Sequence, residues 1–260
     1  MGMMIAALLT AASVTAADWR PLDPDNTLLI DTEKGRVVIE MRPEFAPKSV
    51  ERVKLLAREG VYDGLQFHRV IPGFVAQTGN PDNKDGGSSS HPNLPAEFQF
   101  RLPPQTPVAA AAQASDAWSG FLGASPLQGV PPKPGQPLRG WGAYCTGVAG
   151  MGRQADPATS NSEIFIMLAP TRRLDRDYTV WGRVVGGMDA VLALTAGEPP
   201  AKPDHMLKVR VAADVSATER PRLSVLNEQG PAFKALVAKV RAAKGADFSV
   251  CDVEIPTRAD

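Results

Sequence analysis

The hydrophobic pattern near the start of the chain predicts a β-hairpin followed by a helix. Residues 27–33 and 36–41 are two apolar segments, and Lys34-Gly35 between them is typical of a tight turn. Apolar residues then recur at helical spacing, with Pro47 suited to the first helical turn and Gly60 suited to its end. The residues on one face of this predicted helix are Val50, Val53, Leu56 and Ala57.

A second pair of short apolar strands is predicted in residues 65–79, with the turn signal Ile71-Pro72-Gly73 between them. Two polar residues, Arg69 and Gln77, interrupt these otherwise strand-forming segments. Strand periodicity places Arg69 on the same face as Phe67, and Gln77 on the same face as Val75. A guanidinium and an amide in an apolar groove have the general form of a small binding site.

Residues 67–79 closely resemble the signature of the cyclophilin-type peptidyl-prolyl cis-trans isomerases, which reads Phe-His-Arg-(Val/Ile)-Ile-Pro-Gly-Phe-x-x-Gln-x-Gly. Nearly every fixed position is matched, in order and without gaps. Residues 147–153, 156–166 and 174–188 are similar to later blocks of the same family. The hairpin and first helix also follow the family's order, so the resemblance covers a domain of residues 26–214.

The resemblance implies a mainly β fold, with eight antiparallel strands closed into a barrel and two covering helices. The second helix is expected over residues 188–195 and the closing strand over residues 206–212. Beyond the barrel, residues 215–260 are predicted to form a small α/β appendage, with a helix in residues 231–243 and a strand in residues 248–253.

Residues 101–140 depart from the family pattern, because they are rich in Pro, Gly and Ala and show no periodicity. A segment of this kind inside a compact domain is either a functional loop or disordered. We interpret it as an insertion beside the substrate groove.

The implied reaction is rotation about an X-Pro peptide bond, which needs no nucleophile and no cofactor. The barrier of roughly 18–20 kcal/mol arises because rotation breaks amide resonance. By resemblance, Arg69 donates hydrogen bonds to the twisted imide and Gln77 orients Arg69. The residues that match the walls of the family's proline pocket are Phe74, Val75, Phe165, Leu174 and Tyr178. His68 is interpreted as structural, because it points to the opposite face from Arg69.

Two substitutions in the family pattern affect this expectation. Glu163, assigned to the substrate site, stands where the family usually has Gln, and its carboxylate could pair with Arg69, either fixing its pose or drawing it away from substrate. Arg173 stands where cyclosporin-sensitive members have Trp, so weak cyclosporin binding is expected. The leading hypothesis is therefore an isomerase acting on proline-containing polypeptides. The alternative is a catalytically weak module that binds proline-containing segments.

Composition limits the binding partners and metal sites that can be expected. Formal net charge is +0, which favours neither nucleic acid nor an anionic membrane as a partner. The three His and two Cys do not cluster along the chain, so no metal site is expected. Cys145 and Cys251 could form a disulfide or remain as two partly buried thiols. The protein is expected to be a monomer.

The N-terminal segment has the pattern of a secretory signal. An apolar run is followed by small residues, and Val14-Thr15-Ala16 resembles a signal-peptidase site with cleavage after Ala16 or Ala17. Residues 1–17 are therefore predicted to be a signal peptide for export, for example to the periplasm. A disordered Ala-rich tail is the alternative.

Overall fold

The computed structural model describes residues 15–114 and 117–260. Most of the predicted signal peptide, residues 1–14, lies outside the described residues. The described strands, in chain order, are β1 (Trp19–Pro21), β2 (Thr27–Thr32), β3 (Gly35–Met41), β4 (Leu65–Gln66), β5 (Arg69–Ile71), β6 (Val75–Thr78), β7 (Phe100–Leu102), β8 (Ala109–Gln113), β9 (Trp118–Leu122), β10 (Ser125–Gly129), β11 (Leu138–Gly142), β12 (Val148–Met151), β13 (Ile164–Met167), β14 (Val180–Gly186), β15 (His205–Val211), β16 (Leu223–Leu226) and β17 (Thr257–Ala259).

The described residues also contain three α-helices: α1 (Pro47–Arg58), α2 (Met188–Leu192) and α3 (Pro231–Lys244). Helix α1 buries the predicted apolar face, and α2 lies where the second helix was expected. Within residues 15–114 and 117–260, no helix has the length and apolar character needed to cross a membrane.

The main sheet contains nine antiparallel strands in the order β4-β15-β2-β3-β14-β12-β13-β6-β5. It differs from the expected closed barrel of eight strands, because hydrogen bonding leaves the described sheet open between β4 and β5. These two edge strands are consecutive in the chain and are separated only by Phe67 and His68. The sheet must therefore curl until its edges approach each other. Its concave side is filled by fully buried side chains such as Ile39, Leu56 and Trp181.

The insertion is an ordered sheet, which corrects the expectation of a functional loop or a disordered segment. Its five antiparallel strands follow the order β7-β11-β10-β9-β8. The close packing of backbone around Gly120 explains why glycine is needed there: a Cβ atom at this position would lie 2.4 Å from the carbonyl oxygen of Ala109. Aromatic contacts pack this sheet against the rest of the domain: Phe100 is stacked on Phe45, between β3 and α1, at a centroid distance of 4.2 Å. Burial against the rest of the fold thus orders a segment whose local pattern is weak.

The C-terminal segment also packs onto the domain. Strands β16 and β17 form a third sheet with β1, and Phe233 of α3 is buried. The strand expected over residues 248–253 is wrong: Val250–Asp252 form a 3₁₀ turn. Ser249 Oγ accepts a hydrogen bond from the backbone N–H of Cys251, which favours the turn over an extended strand. Cys145 and Cys251 form a disulfide, with their Cα atoms 5.0 Å apart.

Candidate active site

A cavity of about 370 Å³ opens beside strands β5, β6 and β13. All eight predicted site residues line it: Arg69, Phe74, Val75, Gln77, Glu163, Phe165, Leu174 and Tyr178. The fold therefore brings together residues as far apart in sequence as Arg69 and Tyr178. Asp85, Gly152, Arg153 and Glu198 complete the lining.

Strand register explains why the polar and apolar parts of the site meet. Arg69 of β5 is paired with Gln77 of β6, and Gln77 is paired with Phe165 of β13. Directly opposed residues on neighbouring strands point to the same face of a sheet. The turn between β5 and β6 includes Gly73 at φ 71°, a conformation that glycine adopts without strain.

The apolar wall is built around Phe165, which is 4% exposed. Its ring packs edge-on against Tyr178 at a centroid distance of 5.9 Å and is stacked on Tyr144 at 5.8 Å. Tyr144 was missed in the sequence analysis, and burial raises the pKa of its hydroxyl well above the usual range. Leu174 reaches the wall from a short 3₁₀ turn, Arg172–Leu174. The result is a rigid aromatic surface on one side of the cavity.

Arg69 and Glu163 are not directly paired; Gln77 stands between them. Arg69 Nη1 donates a hydrogen bond to Gln77 Oε1, and Gln77 Nε2 donates to Glu163 Oε1 at 2.7 Å. Glu163 Oε2 accepts from Asn80 Nδ2 at 2.5 Å. Burial raises the pKa of Glu163, and Asn80 partly opposes this by donating to the carboxylate. Glu163 was expected either to fix the pose of Arg69 or to draw it away from substrate. Because Gln77 lies between the two side chains, the geometry favours the first alternative.

The direct acidic neighbour of Arg69 is Glu198, which sequence reasoning missed. Its Oε1 lies 3.4 Å from Arg69 Nη2, and its side chain is half exposed. A bridge between Val70 and Gly197 brings this loop to the edge of β5. No local motif marks Glu198, because the contact depends on a pairing between distant segments.

Phe74 lies between two guanidinium groups at the mouth of the cavity. The Cζ atoms of Arg69 and Arg173 lie 5.7 Å and 5.2 Å from its ring centroid, which is within the range of cation–π contact. Arg153 makes a similar contact with Tyr178 at 4.4 Å. Three guanidinium groups thus contact aromatic rings of the apolar wall.

The insertion sheet lies behind this wall. Its buried residues share an apolar cluster with Val75 and Phe165, but none of its described residues is among those that line the cavity. The described insertion thus supports the wall from the outside rather than forming the surface that faces a substrate.

Comparison with known proteins agrees with this geometry. Residues 27–212 match the family model for "Cyclophilin type peptidyl-prolyl cis-trans isomerase/CLD". A Brucella suis protein named "Probable peptidyl-prolyl cis-trans isomerase" is 33% identical over 228 residues, covering 81% of this chain and 95% of that protein.

Two solved structures extend the comparison. The cyclophilin AquaCyp293 from Hirschia baltica matches with a TM-score of 0.84 and 32% identity, over 95% of this chain and 98% of that one. A Cryptosporidium parvum cyclophilin, crystallised in the presence of the dipeptide Ala-Pro, matches in fold with a TM-score of 0.51 and 17% identity, over 71% and 98% of the two chains.

The fold and the matched residues define a mainly β protein with the cyclophilin architecture. The chain belongs to the cyclophilin-type peptidyl-prolyl cis-trans isomerases.

Proposed function

We propose that the cavity beside β5, β6 and β13 is the isomerase site and that Arg69 is its catalytic residue. Rotation about an X-Pro bond makes and breaks no covalent bond, so stabilising the twisted imide is sufficient. A charge-assisted hydrogen bond contributes about 1.5–3 kcal/mol, and each 1.4 kcal/mol is tenfold in rate. The single observation that carries this proposal is the hydrogen bond that ties Arg69 to Gln77 at the edge of an apolar wall.

The proline ring of the substrate would rest on the apolar wall. Phe165 is held by aromatic neighbours on two sides, so its surface is preorganised. The residues proposed to contact the ring are Phe74, Val75, Phe165, Leu174 and Tyr178. The substrate class is therefore proline-containing segments of polypeptides, bound without a cofactor.

Gln77 and Glu163 are proposed as positioning residues. The side chain of Gln77 is buried between the other two, accepting from Arg69 and donating to Glu163. A preorganised donor avoids reorganisation in the transition state, which is how electrostatic catalysis gains its effect.

We also propose that β4 and β5 act as one interrupted strand. Counting them together gives eight strands and the closed barrel expected from the family, a frame that would hold Arg69 in place.

The test is a protease-coupled isomerase assay on an Ala-Pro peptide. Arg69→Ala should lower kcat/KM by about 10- to 100-fold, the loss expected for one charge-assisted hydrogen bond. Arg139→Ala is the matched control, since Arg139 is an exposed arginine of the insertion sheet. Equal activity in wild type and Arg69→Ala would contradict the role of Arg69.

A second candidate is a binding module with low turnover. The observation that favours it is Glu198, whose carboxylate lies close enough to compete with substrate for Arg69. In that case the wild type would bind an Ala-Pro peptide in a calorimetric titration but would show no rate enhancement in the coupled assay.

We further propose export, a monomeric state and no nucleic-acid or membrane partner. Support for export comes from the apolar N-terminal run and from the disulfide, which is typical of oxidising compartments. Fractionation with N-terminal sequencing would test it, with a mature start at Ala17 or Asp18 expected. Light scattering after gel filtration would test the monomeric state. A filter-binding assay with nucleic acid and a sedimentation assay with lipid vesicles should both show no binding.

A further inference from the structure

We propose that His68, Asp85 and Glu163 form a binding site for a divalent transition-metal cation next to Arg69. His68 lies at the break between β4 and β5, Asp85 lies in the loop of residues 80–90, and Glu163 immediately precedes β13. No metal site was expected from the sequence, because the three His and two Cys do not cluster along the chain. The fold, however, gathers one histidine with two carboxylates.

The spacing of the three side chains suits a single ion. One ligand atom from each residue can be chosen such that all three lie within 4.8 Å of one another. His68 Nε2 and Glu163 Oε2 are 3.8 Å apart. Ligands of a tetrahedral zinc ion at 2.0–2.1 Å from the metal are about 3.3 Å apart, so a modest contraction is needed. His68 and Glu163 would have to move about 0.5 Å closer to each other, and Asp85, which lies on an exposed loop, can adjust its position to the same ion.

The state of His68 is the independent observation that points to a ligand. This residue is only 4% exposed, and neither Nδ1 nor Nε2 has a hydrogen-bond partner in the described residues. A buried polar group without a partner is costly. By contrast, His91 and His205 are each paired with a glutamate at 2.8 Å. Burial lowers the pKa of His68, and the neutral imidazole is the form that binds a metal.

The two carboxylates have capacity for a cation. An ionised carboxylate offers about four acceptor positions. Glu163 Oε1 accepts from Gln77, whereas Oε2 accepts from Asn80 at 2.5 Å and, at a long 3.4 Å, from the backbone N–H of Gly86. A cation bound at Oε2 would replace the long contact with Gly86. Within the described residues, the Asp85 carboxylate makes no hydrogen bond or ion pair.

Local charge does not oppose an added cation. Four carboxylates lie around His68, and only two cationic side chains, Arg69 and Lys84, oppose them. The carboxylates are those of Asp82, Asp85, Glu163 and Glu198. A cation would therefore enter a site in which carboxylates outnumber cationic side chains.

The ligand set indicates the class of metal. An imidazole nitrogen suits zinc, nickel, copper and iron, whereas calcium and magnesium favour sites made of oxygen ligands alone. Three protein ligands leave the fourth position of a tetrahedral ion for water. His68 and Asp85 also line a cavity of about 230 Å³ that provides an entry path. A bound cation would hold Glu163 in its ionised form, which is the acceptor for Gln77.

The test is calorimetric titration of the full chain with zinc chloride, supported by the visible absorption of the cobalt(II) form. One ion per chain is expected, with intense cobalt bands typical of a tetrahedral site. Asp85→Asn changes an exposed side chain and should weaken zinc binding at least tenfold, while His68→Gln should abolish the cobalt bands. His91→Ala and His205→Ala are the matched controls and should change affinity less than twofold.

Three results would overturn the proposal: no zinc binding by the wild type, binding unchanged in Asp85→Asn and His68→Gln, or binding lost in a control variant instead. None of these measurements depends on isomerase activity, so the outcome is independent of the proposed role of Arg69.

Discussion

Gln77 donates a hydrogen bond from Nε2 to Glu163 Oε1 at 2.7 Å, in the wall of the cavity. Both side chains are buried. Because the other end of the same amide accepts from Arg69, the orientation of Gln77 is determined by Glu163. Glu163 can therefore influence, through Gln77, the direction in which Arg69 points.

Replacing Gln77 with leucine should impair turnover more than binding. The variant keeps a similar volume but removes the acceptor for Arg69, and we expect kcat to fall about tenfold with KM nearly unchanged, the effect of losing about 1.4 kcal/mol of transition-state stabilisation. Steady-state kinetics in the coupled assay would measure both constants. Gln99→Leu, at an exposed position, is the control. A purely structural role for Gln77 would instead lower stability while leaving kcat per folded molecule intact.

Glu163→Gln should have a smaller effect than Gln77→Leu. The new amide oxygen can still accept from Gln77, whereas its NH₂ group faces the donor of Asn80. We expect kcat/KM to stay within about threefold of wild type, because the hydrogen bond nearest Arg69 survives. Kinetics in the presence of a chelator would check this without interference from metal ions. A clear increase in kcat would mean that Glu163 restrains Arg69 instead of positioning it.

Glu198→Gln should raise activity slightly. Its half-exposed carboxylate competes with substrate for Arg69, and exposed ion pairs contribute only about 0–1 kcal/mol. We therefore expect kcat/KM to increase by at most about fivefold, and less at high salt, where the pair is already screened. Glu59→Gln is the control, since that glutamate pairs with His91 away from the cavity. A fall in activity at low salt would show that Glu198 assists Arg69.

Weak cyclosporin binding is expected because Arg173 lies over Phe74 at the cavity mouth. Arg173→Trp should strengthen binding at least tenfold, since the indole adds apolar contact area without a charge to desolvate. Arg173→Ala separates loss of the guanidinium from gain of the indole, and should give a smaller improvement. Calorimetric titration with cyclosporin A would measure all three. A nanomolar dissociation constant for the wild type would contradict the expectation.

Glu40 should make stability depend on pH in the acidic range. Burial alone would raise its pKa, but the charges and hydrogen bonds of Arg42 and Arg20 outweigh burial and lower the pKa to about 2 from the usual 4.5. A depressed folded-state pKa contributes stability that is present above pH 4.5 and is lost as the pH falls towards 2. The shift corresponds to on the order of 3 kcal/mol.

Urea unfolding of wild type and Glu40→Gln would check this. The variant should be less stable at pH 7, with the difference shrinking between pH 4.5 and pH 2. Glu44→Gln should show no comparable loss, because Glu44 is largely exposed and lies 3.9 Å from its nearest cationic partner. A constant difference at all pH values would mean that Glu40 remains uncharged or equally charged in both states.

Loss of the disulfide should destabilise the protein substantially. Cys145 and Cys251 are 106 residues apart, and a loop of this length gives an upper estimate of about 4–5 kcal/mol in the chain-entropy treatment. We expect a paired Cys145→Ser, Cys251→Ser variant to melt on the order of 10 °C lower than the oxidised wild type. Calorimetry with and without reductant would measure it. The double variant serves as the control, because its melting temperature should not respond to reductant.

The sequence alone determined the parts of this protein that depend on local pattern. The hairpin, the helix with Val50 and Leu56 on its buried face, and the strands that carry Arg69 and Gln77 follow from periodicity and turn residues over short windows. Resemblance to the family's motif spacing then added Phe165 and Tyr178, whose contacts with the first strands are long-range and leave no periodic pattern.

Only the tertiary structure decided the rest, because those features depend on contacts between segments that are distant along the chain. The insertion is a sheet although Ala109–Gln113 is mostly alanine, since burial outweighs weak intrinsic preference. Glu198 reaches Arg69 through a bridge between separate loops, and Gln77 comes to stand between Arg69 and Glu163 through strand register. The grouping of His68 with Asp85 and Glu163 likewise arises from folding, because these residues are far apart in sequence and no motif spacing predicts that they meet.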